Sequence, residues 1–172
     1  GMHVLAFDTQ KNTFLSEVLH FTYASLDDIL AQADIVTLHV PYNEHTHHLI
    51  NEENIGKMKK GALLINTARG GIIENKALIK ALDQGILSGA GLDVLEGEEL
   101  IKEESQCLHI DCQTDTKHHE EGKGLLSRDN VVFTPHIGFY STEALERILD
   151  TTIENIEHFV SGKKKNQIPG NL

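Results

Sequence analysis

A doubly wound α/β fold, with helices on both faces of a parallel sheet, is predicted by three observations. Short, almost wholly apolar runs recur along the chain. Stretches with helical periodicity lie between them. Most of the runs end on a polar or glycine-rich stretch. A short apolar run without alternation reads as a strand buried on both faces, as in a parallel sheet. Regular exchange of strand and helix is how such a sheet is wound.

The predicted strands are residues 3–7, 35–40, 62–66, 89–94 and 131–134. The first ends at Asp8. Ser25 with Asp28 forms a capping box that opens a helix through Ala33, with Leu26, Ile29 and Leu30 on one face. Asn75 caps a second helix carrying Ala77, Leu78, Ala81 and Leu82, and Gly85 stops it. Behind a Ser141 cap, Leu145, Ile148, Leu149, Ile153, Ile156 and Phe159 recur at three- and four-residue steps, the stripe of an amphipathic helix that ends near Gly162. A basic, proline-containing tail, residues 163–172, follows. Residues 99–129 are polar and aperiodic and read as a long excursion between two strands, with one helical turn near its start. Excursions of this length on the carboxyl side of a strand form site walls or lids.

The chain has 172 residues, 40% apolar and 24% charged, an ordinary globular balance that suits one domain and two at most. Fifteen Lys and Arg against 26 Asp and Glu give a formal charge of -11, which repels phosphate backbones and excludes nucleic acid as a general partner. No apolar run approaches the roughly 18 residues of a membrane span. The two cysteines, Cys107 and Cys112, cannot build a disulfide framework and fit a reducing, cytoplasmic compartment. Residues 1–7 lack the basic lead and cleavage site of a signal peptide and read as a strand. A chain that opens inside a strand is expected to have lost something upstream.

In an open α/β sheet, ligands bind beyond the carboxyl ends of the strands. The polar residues there are Asp8, then Val40-Pro41, then Asn66 through Gly71, then Asp93 with Glu96 and Glu98, then Pro135-His136. Arg69 is one of three arginines. Its planar, permanently charged fork matches a carboxylate, although at this position it equally suits capping a neighbouring carbonyl or pairing with a structural acid. His136 becomes a proton donor poised near neutral pH if Glu98 or Glu96 bonds its far ring nitrogen. An arginine clamp beside such a donor suits reduction of a carbonyl that carries a carboxylate. An acid placed like Asp8 accepts the ribose hydroxyls of an adenosine and repels a 2′-phosphate, favouring NAD over NADP, but a turn aspartate reads equally well. His45, His47 and His48 read as an exposed turn. The spacing of Cys107, Cys112, His118 and His119 matches no standard zinc pattern, so no metal is expected.

Taken in order, these segments resemble the NAD-binding domain of the D-isomer-specific 2-hydroxyacid dehydrogenases. The matching stretches are residues 1–8, Ala33 through Pro41, Thr46 through Asn51, Met58 through Gly71, Gly89 through Val94, and Thr134-Pro135-His136. The resemblance covers nearly the whole chain outside residues 99–129. It implies a Rossmann-type sheet and NAD-linked reduction of 2-keto acids to D-2-hydroxy acids, or the reverse. It makes Arg69 the group that binds the substrate carboxylate, His136 the acid/base and Glu98 its carboxylate partner. It places Asp8 on the ribose, Val40, Pro41 and Thr46 on the adenosine side, and Thr67, Ala68, Arg69 and Asp93 around the nicotinamide. Glu96-Gly97-Glu98 and Phe139-Tyr140 are similar to the D-lactate dehydrogenase branch, which implies a pyruvate-like substrate, and the intact protein is expected to be a homodimer. The sequence holds no G-x-G-x-x-G, so the fold is expected to lack its first strand and Gly-rich loop, leaving residues 3–7 beside an open position at the centre of the sheet. Residues 1–162 are then a partial NAD-binding domain, and 163–172 a tail returning towards a substrate domain. An NAD(H)-sensing scaffold of the same fold and an inactive truncated product are the alternative readings.

Overall fold

The computed structural model describes residues 1–97 and 116–166. The chain divides into two compact units, Gly1–His136 and Ile137–Leu172.

The first unit runs β1 (Leu5–Ala6), α1 (Thr13–Leu19), β2 (Thr22–Tyr23), α2 (Leu26–Gln32), β3 (Ile35–Leu38), β4 (Ala62–Asn66), α3 (Asn75–Asp83), β5 (Leu87–Leu92), α4 (Thr116–Leu126) and β6 (Val131–Phe133). All pairings are parallel. β1 and β2 form a two-stranded sheet, and β3-β4-β5-β6 form a four-stranded sheet in chain order. Among the described residues β1 pairs with β2 alone and β3 with β4 alone, so the sheet is open between β1 and β3, as the sequence predicts.

The helices form where their caps place them. Ser25 Oγ accepts from the Asp28 amide at 3.1 Å and donates to the Asp28 carboxylate at 2.5 Å, and α2 buries Ile29 and Leu30. Helix α3 buries Ala77, Leu78, Ala81 and Leu82 and stops at Gly85, whose φ of 65° suits a residue without a side chain. Its N-cap is Glu74 rather than Asn75, which lies inside the first turn and is buried. Helix α1 and strand β2 were not expected. Asn12 caps α1 by accepting from the Leu15 amide at 3.0 Å, but the helix has only seven residues and buries none, so no periodic burial announces it. In the excursion, the predicted turn near the start lies outside the described residues. The described helix there is α4, at the far end of the stretch; it packs against α3, and its Leu125 is fully buried.

Strand bounds shift by small amounts: β1 keeps two residues of 3–7, β3 ends at Leu38, and β5 spans Leu87–Leu92 instead of 89–94. A larger correction concerns burial. Val36, Leu38, Ala62, Leu64, Ala90 and Leu92 enter the core, whereas Ile35, Leu63 and Val132 on the alternate face are 48%, 39% and 69% exposed. Among the described residues the four-stranded sheet buries one face, not the two that its apolar runs predicted; alternation along each strand puts Val36, Leu38, Leu64 and Leu92 on the buried face and Ile35 and Leu63 on the exposed one.

The second unit is built on α5 (Thr142–Val160). Ser141 Oγ accepts from the Ala144 amide at 3.2 Å, as the sequence predicts, and Gly162 follows with φ 69°. The backbone amide of Glu143 and the Ser141 hydroxyl hold the Glu143 carboxyl below the ordinary glutamate range, so its negative charge is retained at the helix start. The stripe Ile148, Leu149, Ile153, Ile156 and Phe159 is present but exposed. No helix among the described residues is long and apolar enough to cross a membrane.

Leu64 is fully buried in β4, with a neighbouring strand on each side. Leu64→Ala is expected to destabilise the domain by about 2–5 kcal/mol, read as a lower urea midpoint with the slope unchanged.

Candidate active site at the carboxyl edge of the sheet

The register of the four-stranded sheet brings the strand ends into line. Leu38 pairs with Asn66, Asn66 with Leu92, and Leu92 with Phe133. One row of residues therefore closes all four strands. The next residues, Thr67, Asp93 and Thr134, leave the sheet side by side. Backbone bonds extend the ladder past the strand ends: Asp93 N to Asn66 O at 2.9 Å, Thr134 N to Leu92 O at 2.9 Å, and His136 N to Asp93 O at 2.8 Å.

The turn that carries Arg69 is pinned from beneath. Asn66 is 1% exposed, and its side chain is used twice. Its Oδ1 accepts from Ala68 N at 3.0 Å, and its Nδ2 donates to Arg69 O at 2.9 Å. A buried carboxamide satisfied in this way fixes the course of the turn. At Gly70 a Cβ would stand 2.0 Å from Leu95 O, so the chain after the arginine lies directly against the segment after β5. The Arg69 side chain is exposed, and its Nη1 donates to Ala68 O at 2.7 Å. That bond is the carbonyl-capping role; among the described residues no acid pairs with the guanidinium.

Asp93 is 5% exposed, and its Oδ1 accepts from Thr134 Oγ1 at 2.5 Å. His136 is half-buried and has a φ of 55°, a left-handed conformation uncommon outside glycine. Its amide donates to both Asp93 O and Thr134 O, and such backbone anchoring holds the unfavourable conformation in place. Thr67, Ala68, Arg69, Asp93 and His136 thus stand at the ends of three adjacent strands.

The other candidates lie further out. Val40 and Pro41 fall beyond the end of β3. Thr46 closes the turn after them, its Oγ1 donating to Pro41 O at 2.6 Å and accepting from Asn43 N at 2.9 Å. Asp8 follows β1 in the separate two-stranded sheet, where its Oδ1 accepts from Gln10 N at 2.8 Å. Glu98, Cys107 and Cys112 lie outside the described residues. Glu96, the other acid considered for His136, is bound into the scaffold: it pairs with His48 Nε2 and accepts from Asn75 N at 3.2 Å. His48 is accordingly not part of a merely exposed turn. No sequence signal links His48 to Glu96, because the two are 48 residues apart. Asn66 did carry a signal, as a polar residue closing an otherwise apolar strand.

Residues 1–138 match the family model of the D-isomer specific 2-hydroxyacid dehydrogenase, NAD binding domain. The D-specific alpha-keto acid dehydrogenase of Enterococcus faecalis is 40% identical over 159 residues, which make up 92% of this chain and 46% of that protein. The glyoxylate reductase of Korarchaeum cryptofilum is 36% identical over 172 residues, 100% of this chain and 45% of that protein. Among solved structures, D-lactate dehydrogenase from Aquifex aeolicus complexed with NAD and lactic acid is 42% identical with a TM-score of 0.81, over 94% of this chain and 47% of that one. The chain spans about half the length of the curated relatives it matches. On fold, register and these matches together, the chain belongs to the D-isomer-specific 2-hydroxyacid dehydrogenase family, as its NAD-binding domain.

Proposed function

We propose that this chain is the cofactor-binding part of a longer, NAD-dependent enzyme that reduces a small, pyruvate-like 2-keto acid to the D-2-hydroxy acid. The observation that carries the reading is the single row on which β3–β6 end, which sets Arg69, Asp93 and His136 just past the ends of adjacent strands. The two cysteines, too few for a disulfide framework, support a reducing, cytoplasmic setting, and the family resemblance supports a homodimer.

The donor set fits both ends of NAD. The Asp93 carboxylate, held on one oxygen by Thr134, suits an amide N–H of the nicotinamide, with Thr67 and Ala68 beside it. The Asp8 carboxylate suits ribose hydroxyls, and Val40, Pro41 and Thr46 the adenosine side. Bound NADH supplies the hydride that the keto carbon receives. Arg69 grips the substrate carboxylate and holds positive charge beside the keto oxygen. His136 delivers the proton to that oxygen, with Glu98, five positions past Asp93, as the carboxylate partner that the family resemblance gives it. Positioning by fixed groups supplies most of the acceleration.

In the enzyme that carries this chain, His136→Ala is expected to lower turnover at least ~100-fold in a steady-state keto-acid reduction assay. Arg69→Lys is expected mainly to raise the keto-acid KM, because a point charge cannot grip both oxygens. Near-normal kinetics in both variants would remove the assignment. The sequence holds no G-x-G-x-x-G turn to offer the pyrophosphate a helix N-terminus. The 172-residue chain alone is therefore expected to bind NADH more weakly than micromolar by isothermal titration, and a micromolar constant would contradict this.

A further inference from the structure

Resting on the reading of Arg69 as the carboxylate-binding group, we propose that His48 and Glu96 form a positioning pair that locks the Arg69 turn to the segment after β5. Three loops at the carboxyl edge meet in this pair. His48 Nε2 bonds Glu96 Oε1, with the two side chains 30% and 12% exposed. The other Glu96 oxygen accepts from Asn75 N at 3.2 Å, at the start of α3, and the Glu96 carbonyl accepts from Asn75 Nδ2 at 3.3 Å. The His48 amide donates to Gly71 O at 2.9 Å, two residues past Arg69.

The loop that delivers His48 is braced as well. Tyr42 Oη bonds His47 Nδ1 at 3.0 Å, and the His47 ring stacks on His48 at 3.8 Å. A Cβ on Gly71 would come within 2.9 Å of the Tyr42 ring, so this loop lies across the glycine pair. A carboxylate sheltered from water and held by a ring nitrogen and a backbone amide has few alternative placements. His48 itself has a φ of 48°, a strained conformation that persists where the surroundings over-determine it. Glu96 lies three residues past Asp93 and His48 is bonded beside Arg69, so the pair sets the spacing between the two loops. Neither side chain needs to touch substrate or cofactor to do this.

The test uses the enzyme that carries this chain. His48→Asn tolerates the left-handed backbone but is too short to reach Glu96. It is expected to raise the keto-acid KM about tenfold and leave the NADH KM unchanged, because a loosened turn misplaces the arginine. His48→Arg can reach the carboxylate and is expected to restore the keto-acid KM to within about threefold of wild type. His48→Gly suits the left-handed backbone and has no side chain to reach Glu96; it is expected to show the same split in KM, which keeps the test decisive if His48→Asn does not fold. A purely scaffolding pair would lower the folded fraction, and with it kcat, with both KM values unchanged. That pattern, or wild-type kinetics in the variants, overturns the positioning role. A wild-type enzyme that reduces no 2-keto acid with NADH overturns the functional reading instead.

Discussion

The structure depends on one constraint, the in-register parallel ladder that ends β3, β4, β5 and β6 on the row Leu38, Asn66, Leu92 and Phe133. Parallel strands all present their carboxyl ends at the same edge, and a common register removes any stagger between them. Residues 26 or more apart in sequence, such as Thr67 and Asp93, therefore leave the sheet as neighbours. A slip of one residue would turn each strand's core face outward, which fixes the register as firmly as the hydrophobic core is fixed.

Three polar side chains convert that edge into a shaped surface. Asn66 holds the Arg69 turn through two bonds, Thr134 holds the Asp93 carboxylate, and Glu96 ties the segment after β5 to α3 and to His48. All three lie under or beside the candidate groups. Groups locked from behind require less reorganisation when a ligand arrives, which is the physical value of such buried bonds. Gly70 completes the arrangement, since only a residue without a Cβ lets its backbone lie against Leu95 O.

Apolar surface is unevenly used. Helix α2 buries Ile29 and Leu30 and α3 buries Ala77, Leu78, Ala81 and Leu82, whereas α1 and the stripe on α5 leave Phe14, Val18, Ile153 and Phe159 exposed. The sheet likewise buries one face through Leu64 and Leu92 and exposes Leu63 and Val132 on the other. The apolar runs of the sequence thus exceed what the described residues bury.

Much of the fold was legible in the residues. The strand at 62–66, the Ser25 and Ser141 caps and the order of elements followed from apolar runs, capping chemistry and helical period, all of which act over a few residues. The same locality explains the misses. Helix α1 and strand β2 are too short to carry a period, and Asn75 has the residue type of a cap but lies inside α3, because the fold supplies Glu96 as acceptor for its amide. By itself the sequence determined the fold class, the family resemblance and the candidate residues at the strand ends. Only the tertiary structure decided that Glu96 bonds His48 and that His136 takes a left-handed backbone against Asp93. Those outcomes are contacts between residues tens of positions apart, set by how strands align, and no local pattern encodes them.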